Sequence, residues 1–158
     1  MRHLRTVWLT IALVGISTIA LAAGDWSTSW NGVIGQPSNE YTIGAAVVHY
    51  DGVKTITFIA ERTRDEQNCS FAGTTLWPPN ETVIYVDDQA IKAIAKCFLD
   101  NGTYIYNVWP KTAAGRKYVI SLFKAKVTAV TVTINQQRFL ISTNGFTKVW
   151  NSVSDDVL

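Results

Sequence analysis

Residues 41–61 read YTIGAAVVHYDGVKTITFIAE, two runs of strand-forming residues on either side of Asp51-Gly52. An Asp-Gly pair tolerates the positive φ that a two-residue type I′ turn demands at both central positions, so the stretch predicts a β-hairpin. Counting outward from the turn sets Val47 opposite Ile56, Ala45 opposite Phe58 and Ile43 opposite Ala60, an apolar face. The other face pairs Val48 with Thr55, Ala46 with Thr57 and Thr42 with Glu61, and is expected to be solvated. A slip of one residue would turn the whole apolar set toward water, which pins the register. His49 falls opposite Lys54 beside the turn, where a partly exposed edge residue is expected and not a catalytic base.

The segments that follow extend this pattern. Residues 82–86 (TVIYV) form a short strand that ends at Asp87-Asp88, a turn in which Asp bonds its own backbone. Asn101-Gly102 marks a second hairpin, with Leu99 against Tyr104 and Cys97 against Tyr106. Residues 90–98 satisfy two periodicities: Ile91, Ala93, Ala95 and Cys97 suit a strand face, whereas Ile91, Ile94, Ala95 and Phe98 suit a helix face. The reading leans to strand.

Past Pro110, residues 112–126 place Tyr118, Val119, Leu122, Phe123 and Lys126 at helical spacing, with Thr112 as N-cap and Gly115 as a weak point. Residues 127–134 and 138–142 alternate as strands around Asn135-Gln136. Phe146, Val149, Trp150 and Val153 then recur at helical spacing and predict a short amphipathic helix. The expected fold is mainly β: an antiparallel β-sandwich or barrel-like single domain with one or two short helices.

Residues 1–22 stand apart from this domain. Arg2 and Arg5 precede the apolar run TVWLTIALVGISTIAL, which closes on Ala20-Leu21-Ala22. A basic start, an apolar middle and an A-x-A site predict a secretory signal peptide of bacterial type, leaving residues 23–158 as one exported β-rich domain. The apolar run is short for a permanent membrane anchor, and no cysteine beside the cut offers a lipid attachment point. The expected compartment is the periplasm or the exterior. Asn68-Cys69-Ser70, Asn80-Glu81-Thr82 and Asn101-Gly102-Thr103 match the glycosylation pattern, but in a bacterial chain they are products of its Asn, Ser and Thr content.

Charge narrows the partners. The chain carries 14 Lys and Arg against 12 Asp and Glu, and Arg2 and Arg5 supply that whole excess. The domain is therefore neutral, has no Lys/Arg run, and lacks the basic field that nucleic acid binding requires.

The chain has two cysteines, Cys69 and Cys97. In an oxidising compartment the simplest reading is one disulfide between them. A metal pair or a reactive thiol competes with it, but neither cysteine lies in a C-x-x-C motif and His49 is remote in sequence. No metal and no cofactor is expected.

No catalytic set stands out. Glu61, Asp65 and Glu66 alternate with Arg62 and Arg64, as a self-neutralising loop does, whereas a glycosidase needs carboxylates facing each other across a bond. There is no G-x-S-x-G motif for a serine nucleophile. The aromatic content says more. Trp26, Trp30 and Trp77, the last followed by Pro78-Pro79, are candidates for an exposed binding surface, while Trp109 and Trp150 are assigned to the core.

VIYVDDQAIKAIAKC (residues 83–97), VTVTINQQRFLISTNGFTKVW (residues 130–150) and Gly24-Asp25-Trp26 together resemble the invasion-associated locus B family of bacterial periplasmic proteins. Phe98-Leu99-Asp100 follows Cys97 where that family carries a further cysteine. The resemblance implies a β-sandwich exported protein linked to the envelope or to host-cell contact, without catalytic residues.

Three functions follow, in order of expectation. The first is a non-catalytic protein-binding domain of the bacterial envelope, of inhibitor, immunity or accessory-subunit type, with an envelope or secreted protein as partner. The second is a carbohydrate- or peptidoglycan-binding module that uses exposed tryptophans. The third is an envelope hydrolase built on Glu61 or Glu66.

Overall fold

A computed structural model describes residues 24–29, 31–35, 42–63, 80–100, 103–126 and 128–155. Eight strands and two helices follow one another as β1 (Gly32–Ile34), β2 (Thr42–Tyr50), β3 (Val53–Thr63), β4 (Asn80–Val86), β5 (Gln89–Asp100), β6 (Thr103–Pro110), α1 (Ala113–Ala125), β7 (Ala129–Ile134), β8 (Gln137–Ser142) and α2 (Phe146–Ser152). All neighbouring strands are antiparallel in a single sheet of order β1-β2-β3-β6-β5-β4-β7-β8, curled into a nearly closed barrel. No helix among the described residues is long and apolar enough to cross a membrane.

The β2–β3 hairpin has the register expected from its alternation, with Val47 opposite Ile56 and His49 opposite Lys54. Asp51 (φ 50°) and Gly52 (φ 73°) both take positive φ, as a type I′ turn requires. The pairs Asp87-Asp88 and Asn135-Gln136 repeat that geometry. Asp87 has a further job: its Oδ1 accepts the Thr131 N–H at 2.9 Å and its Oδ2 meets Lys126 Nζ at 2.9 Å. The β4–β5 turn is thereby fastened to β7 and to the end of α1. Residues 90–98 lie within β5, which pairs with β4 as far as Ala95 and with β6 from Ala93 onward. Strand pairing settles the two-fold periodicity in favour of the extended form.

The inward faces of β2 to β8 fill the barrel with Ile43, Ile56, Phe58, Ile84, Val108, Val132 and Ile141, all fully buried. Helix α1 closes this interior. Thr112 caps it by accepting the Gly115 N–H at 3.0 Å, and Val119 and Phe123 turn inward. Gly115 is a weak point for helix propensity, but a larger residue there would have to push neighbouring side chains aside. A Cβ there would stand 3.0 Å from Ile91 Cγ2, so glycine lets the first turn lie against β5.

The seam between β1 and β8 is bridged from outside the ladder. Trp26 donates its backbone N–H to Asn144 O at 2.9 Å and its indole Nε1–H to Ser142 O at 2.7 Å. Its ring meets Phe123 and Phe146 edge-on, at 5.8 and 4.9 Å between centroids. Replacing Trp26 with Phe keeps much of this apolar bulk but strands the Ser142 carbonyl inside the protein. We expect a loss of about 1–3 kcal/mol, read from urea unfolding. A change near zero would show that water reaches that carbonyl.

Candidate functional site

Alternation along β6 sends Tyr106 and Val108 into the core and Trp109 to the outer wall. Tyr50 ends β2 on the same outer side, and β3 runs between β2 and β6. The two rings bridge that gap and stack at 3.8 Å, with only 10° between their planes. Asn107 Nδ2 reaches Tyr50 Oη at 3.5 Å. Outward-facing Thr55 and Thr57 on the intervening strand are each 1% exposed. This corrects two expectations. Around Thr55 and Thr57 the second face of the hairpin is not solvated, because aromatic rings lie across it, and Trp109 is a half-buried wall residue outside the core.

Beside the stack lies a groove of about 360 Å³ lined by Tyr50, Asp51, Val53, Thr55, Ile94, Trp109, Lys111 and Arg116. The lining converges from several elements. Ile94 sits opposite Trp109 in the β5–β6 ladder, and Val53 opposite Tyr50 in the first hairpin. Lys111 and Arg116 come from the β6–α1 junction, where Arg116 Nη1 donates to Lys111 O at 2.8 Å. Lys111 also pairs with Glu81 on β4. That hydrogen bond, helped by the lysine's charge, holds the Glu81 carboxyl below its ordinary range.

The groove's lining combines two cations, Lys111 and Arg116, with the carboxylate of Asp51 and the buried Thr55 hydroxyl. Thr55 Oγ1 has no hydrogen-bond partner among the described residues, nor does Asn107 Oδ1 next to the Tyr50 hydroxyl. Orphaned buried polar atoms cost free energy, and they recur where a ligand or water supplies the missing bond.

The residues named from sequence fall elsewhere. Trp26 is 6% exposed and hydrogen-bonded across the barrel seam, so its place as a binding-surface residue is corrected to a core position. Trp30, Trp77, Cys69, Asp65 and Glu66 lie outside the described residues, as do residues 1–22. Glu61 belongs to β3, opposite Ile105 of β6. Cys97 faces the core opposite Tyr106.

Trp150 packs partly buried against the core, with Lys54 Nζ 4.7 Å from its ring centroid. The Lys54 amine is itself anchored to Val153 O at 2.6 Å and Asp155 Oδ1 at 2.9 Å, so the C-terminal turn is latched to the hairpin. That hydrogen bond holds the Asp155 carboxyl below its ordinary range. His49, opposite Lys54, is half-buried and its Nε2 has no hydrogen-bond partner among the described residues. No group of three or more His, Cys, Asp or Glu residues that could hold a metal occurs among the described residues.

Sequence reasoning missed Tyr50 and Trp109, although the signal was present. Once Cys97 is set against Tyr106 on the core side, period-two alternation places Trp109 on the other face. Comparison with known proteins adds no further constraint: no family model, no curated protein and no solved structure matches the chain.

Proposed function

We propose that this chain is an exported, non-catalytic binding domain of the bacterial envelope whose outer-wall groove takes a sugar ring. One observation carries the reading: the Tyr50–Trp109 stack walls a groove of about 360 Å³ that also holds an unpartnered Thr55 hydroxyl. That volume lies at the lower end of the ~300–1,000 Å³ range of ligand pockets. A sugar presents C–H faces to aromatic rings and hydroxyls to Asp51, Thr55 and Arg116. From sequence a protein partner ranks first. The concavity and scale of the groove favour a smaller ligand.

Export is supported by the pattern of residues 1–22, and the resemblance to the invasion-associated locus B family agrees with an envelope setting. The Cys69–Cys97 disulfide belongs to the same proposal. Its support is that Cys97 is 4% exposed and that no cysteine among the described residues is free.

Titration of tryptophan fluorescence with peptidoglycan fragments and chitin oligosaccharides tests the reading. We expect a saturable change in the wild type. Trp109→Ala should bind about five- to tenfold more weakly, the equivalent of ~1–1.5 kcal/mol of lost stacking. An unchanged wild-type spectrum, with Trp109 shielded from a neutral quencher, would sink it.

A second reading rests on Val83 and Tyr85, which are 50% and 48% exposed on the outer wall of β4. Apolar and aromatic side chains beside Lys92 have the composition of a protein-binding hot spot. If the domain grips a protein there, Tyr85→Ser should abolish capture of an envelope partner and Trp109→Ala should not.

A further inference from the structure

We infer that the groove selects a sugar carrying a carboxylate, a uronic or muramic type of ring, over its neutral counterpart. This inference rests on the sugar-binding reading and adds the charge of the ligand to it. Three features place complementary groups around one cavity. Tyr50 and Trp109 cover one face of each other, so the apolar wall they offer a sugar ring is an outer face or edge of the pair. Asp51 lines the groove and accepts hydrogen bonds from ring hydroxyls, while the orphaned Thr55 hydroxyl, 1% exposed, can bond to a further ring oxygen. Arg116 and Lys111 then supply the cationic part.

Arg116 is the better anion receptor of the two cations. Its Nη1 donates to the Lys111 carbonyl, which holds the guanidinium in place while its other N–H groups remain to meet a carboxylate. Lys111 is paired with Glu81 and would share its charge between that acid and the ligand. A carboxylate placed there gains a charge-assisted bond, while a neutral amide of the same shape gains only ordinary ones.

The test uses the full exported chain and two probes identical in ring and size, glucuronic acid and glucuronamide, with N-acetylglucosamine oligomers as a neutral reference. Binding is followed by calorimetry and by saturation-transfer NMR, on the wild type and on Arg116→Gln. Arg116 is partly exposed and outside the core, so the variant should fold, and its thermal transition provides the check.

The wild type should prefer the acid about tenfold, and Arg116→Gln should cut that preference to about threefold or less by weakening the acid more than glucuronamide. Raising the salt concentration should weaken only the acid. Equal binding of acid and amide would overturn the inference and leave the sugar-binding reading standing. A preference for the acid that survives Arg116→Gln would also overturn it, since the anion would then be held elsewhere. Failure of all three sugars to bind would remove the sugar-binding reading, and this inference with it.

Discussion

Replacing Phe123 with Ala should lower the stability of the domain by about 3–5 kcal/mol, the largest effect expected of any single substitution here. The ring is 1% exposed and lies on the inward face of α1. It stands 5.8 Å from Trp26, 5.3 Å from Phe146 and 6.3 Å from Phe58. These partners come from the segment before β1, from α2 and from β3. One ring therefore ties together parts of the chain that no shared strand ladder connects. Removing it opens a cavity that strands cannot collapse into without breaking their own hydrogen bonds. Urea unfolding of Phe123→Ala beside an exposed control such as Lys117→Ala, expected within about ±0.5 kcal/mol of the wild type, would measure it. A loss under about 1.5 kcal/mol would mean that α1 is not what closes the barrel.

The second large effect belongs to the proposed disulfide. Reduction of the protein, or replacement of Cys69 and Cys97 with Ala, should cost roughly 3–4 kcal/mol by the loop-closure argument, less any strain the bridge carries. Cys97 points into the core opposite Tyr106, so the loss should be felt first in β5 and β6. Hydrogen exchange should show the amides around Cys97 losing more protection than those flanking Asp51-Gly52. A mass two hydrogens below the dithiol is the direct check on the bridge. Titratable thiol in protein purified without reductant would show that the cysteines are not joined.

Much of the architecture could be read from the residues, and the reasons are local. Asp51-Gly52 dictates a turn type, and the alternation on both sides of it admits one register, so the pairing of Val47 with Ile56 follows without tertiary information. Thr112 announces the start of α1 in the same way. What the sequence hid lies where distant segments meet. The hairpin's threonine face looks solvated in isolation. Only Trp109, brought alongside by the β3–β6 pairing, covers it together with Tyr50.

Trp26 stands in a short stretch with no periodicity, and nothing nearby foretells that its indole will bond to Ser142. The groove was hidden for the same reason. Its lining comes from the first hairpin, from β5 and from the β6–α1 junction, and Thr55 and Asn107 look like ordinary strand residues until their partners are traced.

The bond from Trp26 to Ser142 also sets a timetable. Its two residues are 116 positions apart, so the barrel seam cannot shut until nearly the whole domain is available in one place. Contacts of such long range slow folding, into the millisecond-to-second regime of β-rich domains. A chain emerging from the ribosome or a translocation pore would hold the outer edge of β1 uncovered for most of that transit, and open edges invite pairing with other chains. Truncations that stop before residue 142 should therefore be recovered as aggregates or as clients of holding chaperones. A shortened but soluble barrel should not appear, because the last strands to arrive are the ones that make the first segment safe.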